Sequence, residues 1–469
     1  MWTTSACISL ARDTGVPVFA APERQRAASI DFGGMHVGSS AGVVQPRDVR
    51  ELAAVVDWAG ARSLSLTVRG AGLSQSGQSI AMNSLTIDTS RLDWIIEQQL
   101  PSAARDGKLF CGAGLSWGRL LDFSSAKSRV PYVFPLNPDL TVGGVASAGG
   151  IGPTSHRHGL FVSGVSSLEV VTGTGEVLIC TPTANRMLFD ACLSGLGRVG
   201  VIASVEIPVT KIPHRILHIQ LLYDDCKTWM TDQKLLAGES DVVYMESFCW
   251  AGAKGTRVGP HGRRQFCRWM FSISLGVELD RDGCVASWKT LERLAHREVL
   301  GIEEEEPLYV LSRQKSRFEL MRNSGFWSSS HPWVEVFFPL SDDFAETVEE
   351  VLDMLSVSLG DGHRMNMVAK ANWPSLMTSL DGEDSHVGLF ALLPLGVQEH
   401  DLSATIDAVG KIDRIFRERG GKRYLSGWLG DPDIRYWKAH FGDTFDSWSG
   451  AKQQFDPRNV FTSLLFANK

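Results

Sequence analysis

Two stretches of alternating apolar and polar residues each hold one carboxylate among aromatic rings. In VVYMESFCW, an every-second-residue pattern puts Tyr244, Glu246, Phe248 and Trp250 on one face of a strand. In HPWVEVFFP the same pattern groups His331, Trp333, Glu335 and Phe337. A carboxyl group enclosed by aromatic rings is desolvated, which lifts its pKa toward the range where it can take a proton at neutral pH. Glu246 and Glu335 are therefore candidate general bases. Each could equally be a paired structural residue or face solvent at a sheet edge.

A second kind of chemistry is written in glycine. VRGAGLSQSGQS (68–79) follows an apolar run, and its glycines 70, 72 and 77 permit positive φ and close backbone approach to a ligand. Successive N–H groups in such a loop, with Ser74 and Gln78 as further donors, can cradle a pyrophosphate. Arg69 could offset phosphate charge or pair with a buried acid. A plain cluster of turns would read the same way. DLTVGGVASAGGIGPTSHRHG (139–159) carries glycines 143, 144, 149, 150 and 152, with Thr141 and Ser147 as polar groups. This run is poor helix and poor strand, and it makes sense against a large flat ligand. SGLGRVGVIASV (194–205) is a third glycine-rich turn feeding a strand. Three such segments in one region suggest an extended dinucleotide. No GxGxxG opens a helix and no GxxxxGK[ST] occurs, so neither a Rossmann fingerprint nor a P-loop is indicated. In Ser155-His156-Arg157-His158-Gly159, adjacent loop side chains diverge, which favours a structural turn over a metal site.

The elements that must position these residues change along the chain. A helix is expected over about 48–60, with strands at 64–70, 84–92, 107–114 and 199–209, a hairpin within 166–182 and a helix over 185–198. From about residue 213 the pattern becomes long alternating strands separated by helices such as DDFAETVEEVLDMLSVSL, which suggests an antiparallel sheet with helices on one face. The run Glu303–Glu306 is expected to be a solvated helix start or loop. The chain of 469 residues has room for two to three domains at roughly 150 residues each. We expect an α+β protein with a first unit over 1–212, a second over 213–424 and a C-terminal segment, 425–469, that returns to the first.

Composition excludes several classes. Net charge is −7, which argues against nucleic-acid binding. Hydrophobic residues at 43% and charged residues at 21% indicate a globular chain. No apolar run reaches the ~18 residues of a membrane span. The N-terminus has no basic start followed by an apolar stretch, so a cytoplasmic protein is expected. The eight cysteines are scattered without a CxxC pair, and no metal site is indicated.

The motifs resemble those of the vanillyl-alcohol oxidase / p-cresol methylhydroxylase flavoproteins, and within them the cytokinin dehydrogenase-like branch, related to the berberine-bridge enzymes. ASIDFGG (28–34), RGAGLSQSGQ, LTVGGVASAGGIG, RHG, LEVVTGTGEV, LFDACLSGLGRVGVI, HPWVEVFFP, YWKAHFG (436–442) and FDPRNVF (455–461) occur in that family's order. The resemblance implies a PCMH-type FAD-binding fold built from both chain ends, with an antiparallel-sheet substrate domain between. It places FAD against Val68, Gly70, Ala71, Gly72, Ser74 and Gln78, then Thr141, Ser147 and Ile151, with Gly144 in the same run. Ile202 would lie near the adenine half, and Tyr424 and Thr462 would complete the pocket. Arg-His-Gly would be a turn below the flavin. Both carboxylate strands would border the cavity over the ring, with Leu136, Asn137, Tyr244, Phe248 and Trp333 lining the substrate side.

Two departures stand out. The histidine that tethers the flavin in most relatives on this branch is replaced by Leu73, and Asn137 occupies the position of the second, cysteine tether. FAD is therefore expected to be noncovalent, lower in potential and easier to strip. The aspartate that takes the substrate proton in cytokinin dehydrogenases is replaced by Leu136; Asp139 lies three residues on, but Pro138 sets a different geometry. The expected function is an FAD-dependent oxidoreductase that removes a hydride from an amine, alcohol or activated C–H of an organic small molecule other than a cytokinin. Oxidative cyclisation or desaturation in specialised metabolism would fit, with oxygen or another carrier as electron acceptor, in a monomer or homodimer. The alternatives are a redox-neutral flavin-containing cyclase or isomerase, and a binding protein without turnover.

Overall fold

The structure is a computed structural model and describes residues 1–97, 105–260, 262–279, 288–313, 315–354, 362–372, 380 and 385–466. The fold is α+β, built around three sheets. The first has order β1-β2-β4-β3 and is formed by Val18–Phe19 (β1), Ser40–Val44 (β2), Leu66–Arg69 (β3) and Ser84–Asp88 (β4). β4 runs parallel to both β2 and β3. The helix Val49–Gly60 makes the crossover between β2 and β3, and it starts where Asp48 accepts from the Arg50 and Glu51 N–H groups at 2.9 Å each. Residues near the C-terminus reach this sheet: Leu66 donates to Val460 O at 2.7 Å and Thr462 to Leu66 O at 2.9 Å. Asp456 fixes the approach by accepting from the Val460 and Phe461 N–H groups at 2.8 and 2.9 Å.

The second sheet, wholly antiparallel, comprises Ile95–Glu97 (β5), Asp106–Gly112 (β6), Arg129–Pro131 (β7), Ser167–Thr172 (β8), Val177–Cys180 (β9) and Gly200–Lys211 (β10), with β10 at its centre. The third, of eight antiparallel strands, comprises Ile216–Tyr223 (β11), Val242–Gly259 (β12), Gly262–Glu278 (β13), Glu298–Glu305 (β14), Val334–Pro339 (β15), Gly362–Lys370 (β16), His386–Pro394 (β17) and Lys422–Arg423 (β18). Its order is β14-β11-β13-β12-β16-β17-β15-β18. Alternation divides the faces. Val334, Val336, Phe338, Phe390 and Leu392 pack with the helices Cys226–Ala237, Asp342–Met354 and Glu399–Glu418 in one apolar core. Phe337, Met365, Met367, Leu389 and Ala391 point the other way, into a core shared with the second sheet and with the helix Val142–Ala148. The cross-strand pairs Phe248–Met365, Met365–Ala391 and Glu335–Ala391 lie on that second face.

Three local expectations are corrected. Part of the second glycine run is helical: Thr141 caps Val142–Ala148, and Gly143 is tolerated because its bare Cα lies against Ala113, where a Cβ would come within 2.6 Å. The glutamate run contributes to edge strand β14, where Arg215 pairs with Glu304; an edge facing water tolerates charge. The helix expected over 185–198 stops at Cys192, and the turn after it holds Ser194 and Leu196 at φ of 59° and 55°. Among the described residues no helix is long and apolar enough to cross a membrane, and no group of His, Cys, Asp or Glu is arranged to hold a metal.

Candidate functional site

One cavity collects side chains and backbone from all three glycine-rich segments. Val68, Gly70, Ala71, Gly72, Leu73, Ser74 and Gln78 line it from the first, Thr141, Gly144, Ser147 and Ile151 from the second, and Leu196, Gly197, Gly200 and Ile202 from the third. Leu136, Asn137, Trp333, Glu335 and Tyr424 close it, and it contains about 1550 Å³ of space between protein atoms, partly open to solvent.

The first loop leaves β3 with Gly72 at φ 72° and Gly77 at φ 69°. A Cβ on Gly70 would stand 2.3 Å from Thr141 Oγ1, so the first two segments touch there. The N–H groups of Ala71, Gly72, Leu73 and Ser74 donate to no other protein atom among the described residues. Consecutive free N–H groups lining a cavity form a cradle for an anion. Arg69 sits behind this loop rather than in the cavity. Its Nη2 donates to Ile30 O at 3.1 Å, and its guanidinium packs under Gly72. Burial lowers its pKa, opposed by Asp88 and Asp31.

The far end of the loop is clamped to the segment after β18. Ser76 Oγ donates to Gly427 O at 3.2 Å and accepts from Leu429 N–H at 2.6 Å, and Gln78 Nε2 donates to Leu425 O at 2.9 Å. Gln78 thus lines the cavity while its amide holds protein. Gln75 does the opposite: it is 1% exposed and lines the cavity, yet neither amide atom has a hydrogen-bond partner among the described residues. A buried amide with both ends unmet costs on the order of a few kcal/mol. A polar ligand in the cavity would remove that cost. Free loop N–H groups, the orphaned amide and a space reached from three segments fit a dinucleotide with a pyrophosphate and polar ring edges, as in FAD.

Glu335 stands on β15 on the cavity face, and its partial exposure is to the cavity. Ser426 Oγ donates to Glu335 Oε2 at 3.1 Å. Burial pushes the Glu335 pKa up to about 7, against smaller lowering effects from Ser426 and Arg423. Tyr424 accepts from Gly150 N–H through its hydroxyl at 2.9 Å, tying the second glycine segment to the residue that follows β18; burial and the nearby Glu335 push its pKa up. Arg423, fully buried, donates to Glu335 O at 3.1 Å and Asp413 Oδ1 at 2.6 Å, and so locks β15 and β18 in place. Trp333 is held by an Nε1 bond to Pro394 O at 2.8 Å and packs edge-on to Phe32, which also lines the cavity.

Other sequence-derived residues lie elsewhere. Glu246 is buried in a separate cavity on β12, where it accepts from the Tyr244 hydroxyl; Phe248 lines that second cavity too. Thr462 packs by its backbone against Leu66, outside the lining of the main cavity. Asp139 is also outside it and is paired with Arg322. Asn137 lines the main cavity, but its Oδ1 accepts from Asp139 N–H at 3.0 Å. His156 is buried with its ring nitrogens 3.1 and 2.8 Å from Pro153 O and Val242 O, as part of the local packing. Gln75, Ser426 and Arg423 were missed. Gln75 lies within a motif already singled out, whereas Arg423 ends the two-residue strand β18 and Ser426 follows it, a stretch too short for a periodic signal.

Comparison with known proteins gives two family models. Residues 40–181 match an FAD binding domain, and residues 289–463 match a model described as cytokinin dehydrogenase 1, FAD and cytokinin binding. Cytokinin dehydrogenase 3 of Oryza sativa subsp. japonica is 27% identical over 484 residues, covering 92% of this chain and 88% of the rice protein. Cytokinin dehydrogenase 2 of Arabidopsis thaliana is 25% identical over 480 residues, covering 97% and 94%. An uncharacterized oxidoreductase of the fasciation locus of Rhodococcoides fascians is 26% identical over 439 residues, covering 92% and 94%.

Proposed function

This chain is a cytokinin dehydrogenase-like FAD flavoenzyme of the oxidase/dehydrogenase type, and on that premise we propose that it oxidises a small organic molecule at a C–H bond next to nitrogen or oxygen, with Glu335 as proton acceptor. FAD, when bound, supplies a two-electron acceptor for the hydride. The remaining work falls to the chain. The loop 70–74 would hold the pyrophosphate through its free N–H groups, with Arg69 adding positive charge from behind. Thr141, Gly144, Ser147, Ile151 and Ile202 would line the cofactor's path. Trp333, Leu136, Leu140, Phe318 and Met367 would exclude water from the substrate.

For an amine, the substrate C–H leaves with its electron pair as hydride, the N–H proton passes to a Glu335 oxygen, and an imine remains. Oxidation of an alcohol to a carbonyl balances in the same way. The carrying observation is that a carboxyl group poised near neutrality lines the cavity reached by all three glycine segments. The aspartate position of cytokinin dehydrogenases is Leu136 here, so the proton acceptor comes from another element, the strand β15 that carries Glu335. With Leu73 and Asn137 at the tether positions, FAD is held noncovalently. The corresponding division of the chain is 1–212 and 425–469 around the cofactor, with 213–424 over the substrate.

Anaerobic mixing with a panel of amines and alcohols tests this. Bleaching of the oxidised-flavin absorbance together with formation of imine or carbonyl product is expected. Product without bleaching would mean redox-neutral chemistry, and ligand uptake with neither would mean a binding protein.

A further inference from the structure

The face of the eight-stranded sheet that carries Glu335 continues, three strands away, into a second cavity of about 550 Å³. At roughly 4.8 Å per strand its Glu246 lies about 14 Å from Glu335 along the sheet. Gln220, Glu246 and Ser274 contribute from three adjacent strands, and Arg313, Ser316 and Arg317 from the chain that crosses above them. The helix Lys315–Asn323 separates the two spaces: Phe318 enters the flavin-side cavity and Arg317 the second one.

Among the described residues the second cavity is lined by two guanidiniums and one carboxylate, with an amide and two hydroxyls beside them. Arg313 is anchored through Nη1 to the His218 ring Nε2, and the same nitrogen donates to Ser274 Oγ at 3.3 Å. Behind it, His218 Nδ1 lies 3.4 Å from Glu305. Burial and the adjacent Arg313 hold the His218 pKa down to about 4, so this histidine is neutral and accepts from Arg313. Arg317 lies over the Phe248 ring, 4.8 Å from its centroid. Among the described residues, neither arginine forms an ion pair with a carboxylate, and Arg317 makes no hydrogen bond. Among the described residues Glu246 is the one carboxylate in the lining; it accepts from the Tyr244 hydroxyl, and its charge acts on Arg317, opposing the lowering of the Arg317 pKa by burial. Two guanidiniums thus face one carboxylate in a half-enclosed space, with Gln220 and two serine hydroxyls beside them. A guanidinium removed from bulk water calls for an anionic partner, and its planar donors match oxyanions in paired geometry.

We propose that this second cavity binds a phosphate-type oxyanion between Arg313 and Arg317. None of its lining residues also lines the cofactor cavity.

The test is calorimetric titration of the FAD-loaded protein with inorganic phosphate, against sodium chloride at matched ionic strength. Saturable binding of phosphate alone is expected. Arg317→Met keeps an aliphatic stem over Phe248 and removes the charge; it should weaken phosphate binding by at least about tenfold, with unchanged flavin absorbance. Arg317→Lys should lose less. Gln220→Leu, on a different element, should weaken binding as well and serves if the arginine variants fold poorly. Absence of saturable heat in the wild-type protein, or equal affinity in folded Arg317→Met, overturns the proposal. Once a substrate that reduces the flavin is in hand, phosphate that raises its KM marks the oxyanion as part of that substrate. Phosphate that binds and leaves KM unchanged marks a separate effector; both results support the site.

Discussion

Replacing Glu335 by glutamine should make the protein more stable and less active at the same time, with both effects set by pH. Burial lifts this carboxyl from the ordinary glutamate value of 4.5 to about 7. The folded protein therefore holds the proton more tightly than the unfolded chain does. A carboxylic acid with a raised folded pKa contributes most below about pH 4.5, and that contribution drains away as pH climbs to about 7. At about 1.4 kcal/mol per pH unit of separation, the loss on ionisation is about 3 kcal/mol. Glutamine keeps an acceptor for the Ser426 hydroxyl but has no charge to bury. For a chain of 469 residues, an unfolding entropy near 2 cal/mol/K per residue gives about 1 kcal/mol/K, so the variant should gain about 3 °C in melting temperature at pH 8 relative to its offset at pH 4.5.

Melting temperatures of both proteins in saturating FAD, taken at intervals from pH 4.5 to 8.5, would display this as a difference that opens between those limits and then levels off. A difference that stays flat across the range would show that Glu335 does not titrate there, and the desolvated base would have to be abandoned. The rate of anaerobic flavin reduction should move oppositely. In the wild type it should rise through about pH 7 as the carboxylate forms; in Glu335→Gln it should lose that limb and fall by a factor on the order of 10² to 10⁴.

Three further outcomes are expected. Acid precipitation should leave a colourless pellet and a yellow supernatant, because Leu73 and Asn137 offer the flavin no nucleophile; colour kept in the pellet would show a covalent bond. Gln75→Leu should weaken FAD binding by about tenfold, at roughly 1–2 kcal/mol for lost amide contacts, while raising the stability of the FAD-free protein, whose orphaned amide it removes; fluorescence titration of stripped protein and its melting temperature measure the two. Gly70→Ala should lower FAD content sharply, since the new methyl would stand 2.3 Å from Thr141 Oγ1; the absorbance ratio of purified protein reads this directly.

Glycine left its mark on the sequence because positive φ and close approach exclude other residues, so the segments around the cavity could be read without the fold. The alternation in β12 and β15 was equally legible, since period two is a local property, and it placed both glutamates on inward faces. Nothing local distinguishes them. What separates Glu335 from Glu246 is the strand order β12-β16-β17-β15, in which two strands from distant parts of the chain lie between the carriers. The same order sets Glu335 next to β18, and so next to Ser426 and the buried Arg423 that fixes both strands. Arg423 is invisible to periodicity, since its partners are two backbone oxygens and Asp413 on the long helix. Tertiary packing also overrode propensity where Gly143 and Gly144 entered a helix against Ala113, and an exposed edge accepted a glutamate-rich strand. The second cavity follows from this same topology. A single sheet face carries the flavin-side carboxylate at one edge and a pocket with two guanidiniums toward the other, and the short helix 315–323 places one aromatic and one guanidinium, adjacent in sequence, into different chemical environments.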